Sequence, residues 1–367
     1  MKIIITYASA GAGHLKAAEA IFRYIRHNYQ DIDAEILDVL DASTPFFRNS
    51  YNWGYNFLIR RAPFIWAAAF WLTSVGPLRF LTRALAFFLN HSNTKDFARL
   101  LTAKNADYII STHFLASEIA ARLKNKKIIN STVITVITDF GVHPFWLTKG
   151  TDRYIVASPF TKKLLIKEGI EENNIKCFGI PVDLKFSKSF DRVDLRQRLG
   201  IAEDEFTLLV MTGSFGIGPI EKIVRILAGK IRILAVCANN KRLFDSLGSK
   251  NYPGLKVLGF VDNVEELMAA SDVMITKPGG LSISELLCME LAPVFICAIP
   301  GQEAANALAL KEEGIGVSAS CAKEASDIVL KYKGNPEMLK HIKQKIGLLR
   351  KPSAAKELVD AVCKGSI

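Results

Sequence analysis

The chain has 367 residues, half of them apolar, which is enough for two domains of ordinary size with a core in each. This composition excludes an intrinsically disordered chain. Six scattered cysteines without a Cys-x-x-Cys pair or a histidine at ligand spacing argue against a zinc site or a disulfide framework. A formal net charge of +11 indicates an anionic partner, which could be a phosphorylated substrate, an anionic lipid or a nucleic acid.

Short apolar runs alternate with helical patterns along the whole chain, which predicts a parallel α/β architecture. The first apolar run leads directly into glycines, so it is predicted to be a strand and loop rather than a secretory signal, and we expect a cytoplasmic location. The predicted strands of the first half are 2–7, 34–39, 108–111, 133–137 and 153–157. Those of the second half are 206–211, 231–236, 256–258, 273–276 and 292–296.

The loop after the first strand contains Gly11 and Gly13 and opens a predicted helix near residue 15. Glycines let a ligand approach the backbone closely, and the start of a helix offers free N–H groups. The loop lacks the third glycine of a dinucleotide fingerprint. His14 at its rim can act as a base, because a neutral imidazole removes a proton from an alcohol near pH 7. The alternative is a histidine that only caps or lines the helix.

Residues 42–95, called the aromatic segment below, contain no Asp or Glu and carry three of the four tryptophans. Aromatic rings such as Trp66 and Trp71 beside Arg79 and Arg83 are the components of an interfacial membrane anchor that grips anionic headgroups. A buried helix pair and a membrane span through the uncharged run 62–78 are alternatives. Single-strand nucleic-acid binding is disfavoured, because the aromatic residues are too densely clustered and no nucleic-acid-binding signature is present.

Two more groups of polar residues follow predicted strands of the first half, where ligand sites of parallel sheets collect. His113 follows one strand, and Asp139 and His143 follow the next. These side chains are candidates to orient an acceptor hydroxyl or to assist His14 in catalysis, while turn capping by Asp139 is the alternative. A metal site is disfavoured because no carboxylate or cysteine stands at ligand spacing beside the histidines.

A charged stretch at 185–205 separates the two series of strands. We predict an N-terminal acceptor-binding and membrane-binding domain over 1–182 and a nucleotide-binding domain over 183–350. Residues 351–367 are predicted to form a helix, and one arrangement open to this helix is packing against the first domain. Two doubly wound, Rossmann-like domains would face each other across a cleft, with ligands at the carboxyl ends of the strands.

The loops of the second half read as parts of a nucleotide-sugar site. Glycine turns before helices present backbone N–H groups to phosphates, and acidic or amide side chains suit ribose and sugar hydroxyls. The candidates are Gly213, Gly216 and Gly218 for a diphosphate, Phe260 and Val261 for a base, Pro278, Gly279, Gly280 and Ser282 for a phosphate, Glu285 for ribose, and Gln302, Glu303 and Asn306 for the sugar. Ordinary strand-to-helix turns with helix caps are the alternative for each loop alone.

Five motifs in this order carry a resemblance: TYASAGAGHLKAAEAI, VITDFGVHPFW, MTGSFGIGPI, GFVDNVEELMAASDVMITKPGG and IPGQEAAN. The chain resembles the monogalactosyldiacylglycerol synthase and processive diacylglycerol glucosyltransferase family over residues 1–350. The resemblance implies a GT-B fold, a UDP-sugar donor, inversion at the anomeric carbon and no metal or other cofactor. It makes His14 the general base and puts Gly11 and Gly13 near the acceptor or the leaving phosphate. In the second half it puts Gly213, Gly216 and Gly218 at the diphosphate, Phe260 and Val261 at the uracil, Glu285 on the ribose, and Gln302 and Glu303 on the sugar.

The hypothesis is therefore an inverting transferase that moves a hexose from UDP-glucose or UDP-galactose to the 3-hydroxyl of diacylglycerol at the cytoplasmic surface of the cell membrane. Anionic lipids are the expected recruiting partners, and nucleic acid is not expected to bind. Two rivals stay open. One is transfer to a polyprenyl-diphosphate lipid, and the other is a membrane-bound UDP-sugar sensor without catalysis.

Overall fold

The computed structural model describes residues 1–9, 11–74, 78–213 and 216–367, with several helix residues between 52 and 87 described by their backbone alone. The described chain forms two compact units. Unit 1 consists of Met1–Leu184, Ile299–Asn306 and Lys351–Ile367, and unit 2 of Lys185–Ala298 and Ala307–Arg350. The segment Ile299–Asn306, which the sequence analysis assigns to the second domain, thus groups with unit 1.

The described part of unit 1 is built on a six-stranded parallel sheet with the order β2-β1-β3-β4-β5-β6. Its strands are β1 Lys2–Tyr7, β2 Asp33–Asp38, β3 Tyr108–Ser111, β4 Thr132–Val136, β5 Arg153–Ile155 and β6 Ile175–Lys176. The inner positions of β1 are fully buried on both faces, which is why its run Ile3, Ile4 and Ile5 is continuous rather than alternating.

The helices of unit 1 cover both faces of this sheet and include a helical insertion between β2 and β3. They are α1 Ala12–Asn28, α2 Pro45–Arg61, α3 Pro63–Ser74, α4 Leu78–Asn93, α5 Lys95–Lys104, α6 Phe114–Asn125 and α7 Pro159–Lys167, with short 3-10 helices at Pro144–Trp146 and Glu172–Asn174. The helix α2 begins where Thr44 accepts a hydrogen bond from the Phe47 N–H and Pro45 occupies the first turn. The aromatic segment therefore forms helices, mainly α2, α3 and α4.

The described part of unit 2 repeats the architecture with the strand order β12-β11-β10-β7-β8-β9, again all parallel. Its strands are β7 Thr207–Met211, β8 Arg232–Val236, β9 Leu255–Leu258, β10 Val273–Thr276, β11 Ala292–Ile296 and β12 Val317–Ala319. Its helices are α8 Arg192–Leu199, α9 Ile220–Leu227, α10 Lys241–Gly248, α11 Val264–Ala270, α12 Gly280–Cys288, α13 Gln302–Glu312, α14 Ala322–Gly334 and α15 Pro336–Leu349. The helix α13 begins in the segment that groups with unit 1, and a 3-10 helix at Leu184–Ser187 precedes α8.

The last helix, α16 Ala354–Cys363, packs against α1 within unit 1. Leu358 and Val359 are fully buried in the same core as Ile3 and Ile5. The Asp360 carboxylate accepts a hydrogen bond of 2.7 Å from the Tyr29 hydroxyl, a bond that raises the pKa of Tyr29 to about 12. The end of the chain is therefore part of the core of unit 1.

Replacing Leu358 with alanine should destabilise unit 1 by about 2–5 kcal/mol, because the cavity that remains is closed on all sides. The measurement is urea unfolding of the full chain, followed by a signal from the tryptophans of unit 1. The exposed Lys364→Ala is the matched control on the same terminus. An unfolding midpoint for Leu358→Ala equal to that of the control would show that α16 does not contribute to the core.

Candidate active site

The carboxyl ends of three neighbouring strands of unit 1 meet at one edge of the sheet. Strand β1 lies between β2 and β3 in the sheet. The chain passes from β1 to β2 on one side of β1 and continues to β3 on the other side. The position between β1 and β3 is therefore a topological switch point, where open α/β sheets bind ligands. His14 lies on the first turn of α1 after β1, His113 follows β3 and Asp139 follows β4. The fold thus brings together three residues that are far apart in the sequence.

The tautomer of His14 is fixed by two hydrogen bonds at one ring nitrogen. Nδ1 lies 2.8 Å from the Thr112 carbonyl oxygen and 2.9 Å from the Thr138 hydroxyl oxygen. A carbonyl oxygen only accepts, so Nδ1 carries the hydrogen and Nε2 keeps its lone pair. Burial lowers the pKa of His14 from its usual 6.5, partly opposed by the charge of Asp139 and by the bond to Thr112. His14 is therefore a neutral imidazole with a basic Nε2 near pH 7.

The His113 ring packs edge-on against His14, with the ring centroids 4.6 Å apart. His113 is 2% exposed, and its Nδ1 accepts a hydrogen bond of 3.1 Å from the Leu115 N–H at the start of α6. Burial and the neighbouring His14 hold the pKa of His113 well below 6.5. In the free protein His113 therefore caps a helix and supports the His14 ring as a neutral group.

Asp139 is a buried carboxylate surrounded by hydrogen-bond donors. The Gln302 amide nitrogen lies 2.9 and 2.8 Å from its two oxygens, and the Asn306 amide nitrogen lies 3.0 Å from one of them. The pKa of Asp139 is raised above its ordinary value by burial, and its bonds to Asn306 and Gln302, the charge of His14 and a bond from the Trp146 side chain oppose this rise. The donors therefore favour the charged form of a group that burial alone would neutralise.

A cavity of about 1120 Å³ in unit 1 opens beside these groups. Apolar and aromatic side chains of α2, α3 and the loop before β5 form much of its wall, and polar and charged side chains also line it. Its lining includes His14, Tyr51, Leu58, Trp66, Phe70, His113, Arg122, Lys126, Asp139, His143, Phe145, Trp146, Lys149 and Gln302. The cavity combines a basic imidazole with walls suited to a lipid or another apolar ligand.

Thr73 and Phe70 of α3 contact His143 at the wall of this cavity. His143 accepts a hydrogen bond from the Phe145 N–H at Nδ1, and its Nε2 lies 3.1 Å from the Thr73 hydroxyl. The Phe70 ring lies 4.5 Å from the His143 ring and abuts Gly301. Gly301 has φ +92°, and a Cβ there would lie 2.5 Å from the Phe70 ring, so only glycine allows this approach.

The other side of the aromatic segment is exposed. Phe46, Trp53, Phe64, Trp71 and Phe88 are 61–80% exposed. Trp66, in contrast, is half-buried and lines the cavity. The side chains of Arg79 and Arg83, which the sequence analysis assigns to anionic headgroups, lie outside the described residues. None of the helices in the described ranges has the length and apolar character needed to cross a bilayer.

In unit 2 the switch point lies between β7 and β10, and glycine loops follow both strands. Gly213, Gly216 and Gly218 have φ of +82°, +54° and +146°, so the loop after β7 depends on glycine. Gly279 precedes α12 without a side-chain cap, and Pro278 and Gly280 flank it. The Thr212 hydroxyl at the start of the first loop is buried and has no hydrogen-bond partner among the described residues. Both loops therefore present polar backbone to one edge of the sheet.

The remaining candidates of unit 2 lie at the same edge. Phe260 follows β9 and is 65% exposed, with Val261 half-buried beside it. Ser282 and Glu285 are half-buried on the first turns of α12. Phe260 thus offers an exposed ring, and α12 carries polar groups near its start.

The three residues predicted to bind the sugar lie in the segment that groups with unit 1. Gln302 and Asn306 contact Asp139, and Asn306 is fully buried. The Glu303 carboxylate accepts a hydrogen bond of 2.7 Å from the Ile299 N–H, which closes the turn before α13. In the free protein these three polar groups are therefore engaged within unit 1.

Comparisons with known proteins show the family of the chain. A family model described as monogalactosyldiacylglycerol (MGDG) synthase matches residues 14–182, and the C-terminal domain of glycosyltransferase family 28 matches 207–357. Monogalactosyldiacylglycerol synthase 1 of Arabidopsis thaliana is 32% identical over 375 residues, which cover 98% of this chain and 70% of the plant protein. The chain belongs to the monogalactosyldiacylglycerol synthase family. It is a glycosyltransferase, and the resemblance seen in the sequence motifs is confirmed.

Two further relatives bear on this assignment. A processive diacylglycerol β-glucosyltransferase of Bacillus cereus is 25% identical over 370 residues, covering 98% of this chain and 93% of the relative. The crystal structure of Acinetobacter baumannii MurG aligns with a TM-score of 0.64 at 14% identity, covering 99% of each chain. The predicted pair of Rossmann-like domains of the GT-B class is confirmed as the fold of this family member.

Some functional groups of this glycosyltransferase were not singled out by the sequence. Thr112 and Thr138 fix the His14 tautomer, but a threonine after a strand gives no signal of that role. The cavity depends on Tyr51, Leu58 and Phe70 of the folded α2 and α3, which the sequence shows only as part of an aromatic segment. Among the described residues no cluster of three or more His, Cys, Asp or Glu side chains has the geometry to hold a metal ion.

The buried His113 should make the stability of the enzyme depend on pH. Its folded pKa lies below the unfolded value of about 6.5, so the unfolded chain binds more protons as the pH falls below that value, and stability is lost. We expect the urea midpoint to fall between pH 7.5 and pH 5.5, and to fall less in His113→Asn, which keeps an acceptor for the Leu115 N–H. An equal loss in the variant and in the parent would contradict this assignment.

Proposed function

We propose that the enzyme transfers a hexose from UDP-glucose or UDP-galactose to the 3-hydroxyl of 1,2-diacylglycerol and forms a β-glycolipid at the membrane surface. The observation that carries the proposal is the basic Nε2 of His14 at the wall of a large, mainly apolar cavity. The names of the Arabidopsis and Bacillus relatives, a galactosyldiacylglycerol synthase and a diacylglycerol glucosyltransferase, support this acceptor.

The acceptor is proposed to enter the cavity of unit 1. Acyl chains would lie against Tyr51, Leu58 and Trp66, and the free hydroxyl would reach His14. Apolar contact is favourable because each buried CH₂ contributes about 0.8 kcal/mol. The half-buried position of Trp66 supports a role in lining the lipid site, whereas the exposed Trp71 suits contact with the bilayer.

The donor is proposed to bind the glycine loops of unit 2. Backbone N–H groups around Gly213, Gly216 and Gly279 would hold the diphosphate, and the unpartnered Thr212 hydroxyl would donate to one of its oxygens. The exposed Phe260 ring would contact the uracil, and Glu285 would accept hydrogen bonds from the ribose. These fixed donors also stabilise the charge that develops on the leaving diphosphate, so the reaction is proposed to need no metal ion.

The proposed reaction is one displacement. The acceptor oxygen attacks the anomeric carbon while its proton passes to His14 Nε2, and the bond between that carbon and the diphosphate oxygen breaks to release UDP. Attack from the side opposite the leaving group inverts the configuration, so the α-linked donor gives a β-glycoside. The negative charge of Asp139 stabilises the imidazolium that His14 becomes.

The test is UDP release by the full-length protein with phosphatidylcholine vesicles that contain diacylglycerol, a polyprenyl diphosphate or no acceptor. UDP-glucose, UDP-galactose and UDP-N-acetylglucosamine are each supplied, with and without EDTA. The proposal predicts release that requires diacylglycerol, prefers one hexose donor and persists in EDTA. Release that requires the polyprenyl diphosphate would move the enzyme to another acceptor, and donor binding without release would indicate a sensor.

The proposed site of action is the cytoplasmic surface of the cell membrane, where anionic lipids would recruit the basic protein. Exposed aromatic side chains of α3 would enter the interface, with Phe64 71% and Trp71 61% exposed. Replacing both with serine should reduce flotation with anionic vesicles without changing the unfolding midpoint. The exposed Leu348→Ser in unit 2 is the matched control. Undiminished flotation of the double variant would remove α3 from the membrane contact.

A further inference from the structure

Asn306 connects Asp139 to the loop that follows it. Its side-chain oxygen accepts hydrogen bonds from the Phe140 N–H at 2.8 Å and the Gly141 N–H at 3.0 Å, which leaves its amide nitrogen to donate to Asp139. Two backbone donors on the oxygen fix which way the amide points. Asn306 is fully buried in the free protein, so its side chain is not accessible to a ligand in this state.

Gln302 stands one turn earlier on α13 and completes the arrangement. Its amide nitrogen lies within hydrogen-bond distance of both oxygens of Asp139. The two amides reach the same carboxylate because residues three or four apart share one face of a helix. Each is a donor toward Asp139, so each is matched to a negatively charged carboxylate rather than to a neutral one.

We infer that Gln302 and Asn306 are positioning residues that hold Asp139 as a charged carboxylate beside the base His14, and that this role, rather than contact with the donor sugar, is their main contribution. The inference rests on the proposed function for the identity of the base. Asp139 acts on His14 through its charge, because the Nδ1 hydrogen of His14 is directed at Thr112 and Thr138.

The titratable groups around this cluster set the direction of the effect. His14 on α1 and its neighbour His113 before α6 are the histidines in ring contact here, His143 lines the same cavity, and Asp139 is the acid. Removing a donor from Asp139 raises its pKa, so the carboxylate takes up a proton at higher pH and its charge is lost. His14 then becomes a weaker base, because the charge of Asp139 raises the pKa of His14.

The test uses Gln302→Met, which keeps the length of the side chain and removes the donor. One readout is the imidazole titration of His14, followed by NMR of the full-length protein with labelled histidine and assigned with His14→Gln. The other is steady-state kinetics with the hexose donor and diacylglycerol vesicles. Gln344→Met, on the exposed face of α15, is the matched control.

We expect the His14 titration in Gln302→Met to move to lower pH, in the same direction as in Asp139→Asn. We also expect kcat to fall roughly tenfold, less than the 10²–10³-fold lost with a donor that contacts the reacting atoms, while KM for the donor stays within about twofold. Asn306→Asp, which keeps an acceptor for Phe140 and Gly141 but places a second carboxylate beside Asp139, should lower kcat further.

A raised donor KM with an unchanged His14 titration would overturn the inference and make Gln302 a sugar contact. An unchanged titration with unchanged kinetics would overturn it as well. If the parent protein shows no transfer to diacylglycerol, the proposed function fails, but the NMR titration still reports whether Gln302 controls the charge beside His14. The two failures are therefore distinguishable.

Discussion

His14→Ala should lower kcat for glycolipid formation by roughly 10²–10⁴-fold, the usual contribution of a general base. KM for the donor should change little, because the glycine loops assigned to the donor belong to unit 2. The Thr112 carbonyl accepts the Nδ1 hydrogen of His14, so the Nε2 lone pair is available to take a proton. In the described part of the cavity wall no other side chain combines a tautomer fixed in this way with this position.

The matched control is His27→Ala, an exposed histidine on the last turn of the same helix. It should transfer sugar at the parental rate. The parental enzyme should also keep its rate down to a pH below 6.5 and lose it only as His14 takes up a proton, because burial lowers the pKa of this imidazole. Transfer by His14→Ala at the rate of His27→Ala would remove the base from the mechanism.

Gly279→Ala should raise KM for the donor at least tenfold, or about 1.4 kcal/mol of lost binding, without destabilising the fold. Gly279 has φ −74° and ψ 138°, which any residue adopts, and no atom lies within 4 Å of the position of a new Cβ. The free protein therefore has room for the methyl group. When a diphosphate is held against the backbone there, no room remains for the methyl group, because the added carbon would occupy the position of the diphosphate.

Gly248→Ala at the end of α10 is the control, since it also has no neighbour within 4 Å and is remote from the loops after β7 and β10. Both variants should unfold within about 0.5 kcal/mol of the parent, as surface substitutions usually do. If Gly279→Ala binds UDP as tightly as Gly248→Ala does, the turn after β10 does not hold the diphosphate.

The core strands of both sheets were predictable because their apolar runs are continuous and end in glycine or polar loops. Ile3, Ile4 and Ile5 illustrate this, since helices cover both faces of the strand. Two of the four edge strands, β6 and β12, were missed, because two or three residues are too few to show a period. The fold class, the family and the edge strands β2 and β9 therefore followed from the sequence, while the edge strands β6 and β12 did not.

The positions of the candidate catalytic residues at strand ends could be predicted from the sequence, but the hydrogen bonds between them could not. His14, His113 and Asp139 were expected at strand ends, and parallel strands bring such ends together. Asn306 lies 167 residues from Asp139 in the sequence. From the sequence alone its amide is equally suited to bind a sugar, and only the structure shows its bonds to Asp139, Phe140 and Gly141. Hydrogen bonds between distant segments leave no local pattern in a sequence.

The structure of the lipid product is the most direct test of diacylglycerol as the acceptor and of inversion at the anomeric carbon. Full-length enzyme, diacylglycerol vesicles and the preferred UDP-hexose are incubated, the lipid is extracted, and its mass and the configuration of its anomeric carbon are determined by mass spectrometry and proton NMR. We expect a hexose joined to the 3-oxygen of diacylglycerol in the β configuration. An α-glycoside, or a glycosylated lipid other than diacylglycerol, would contradict it.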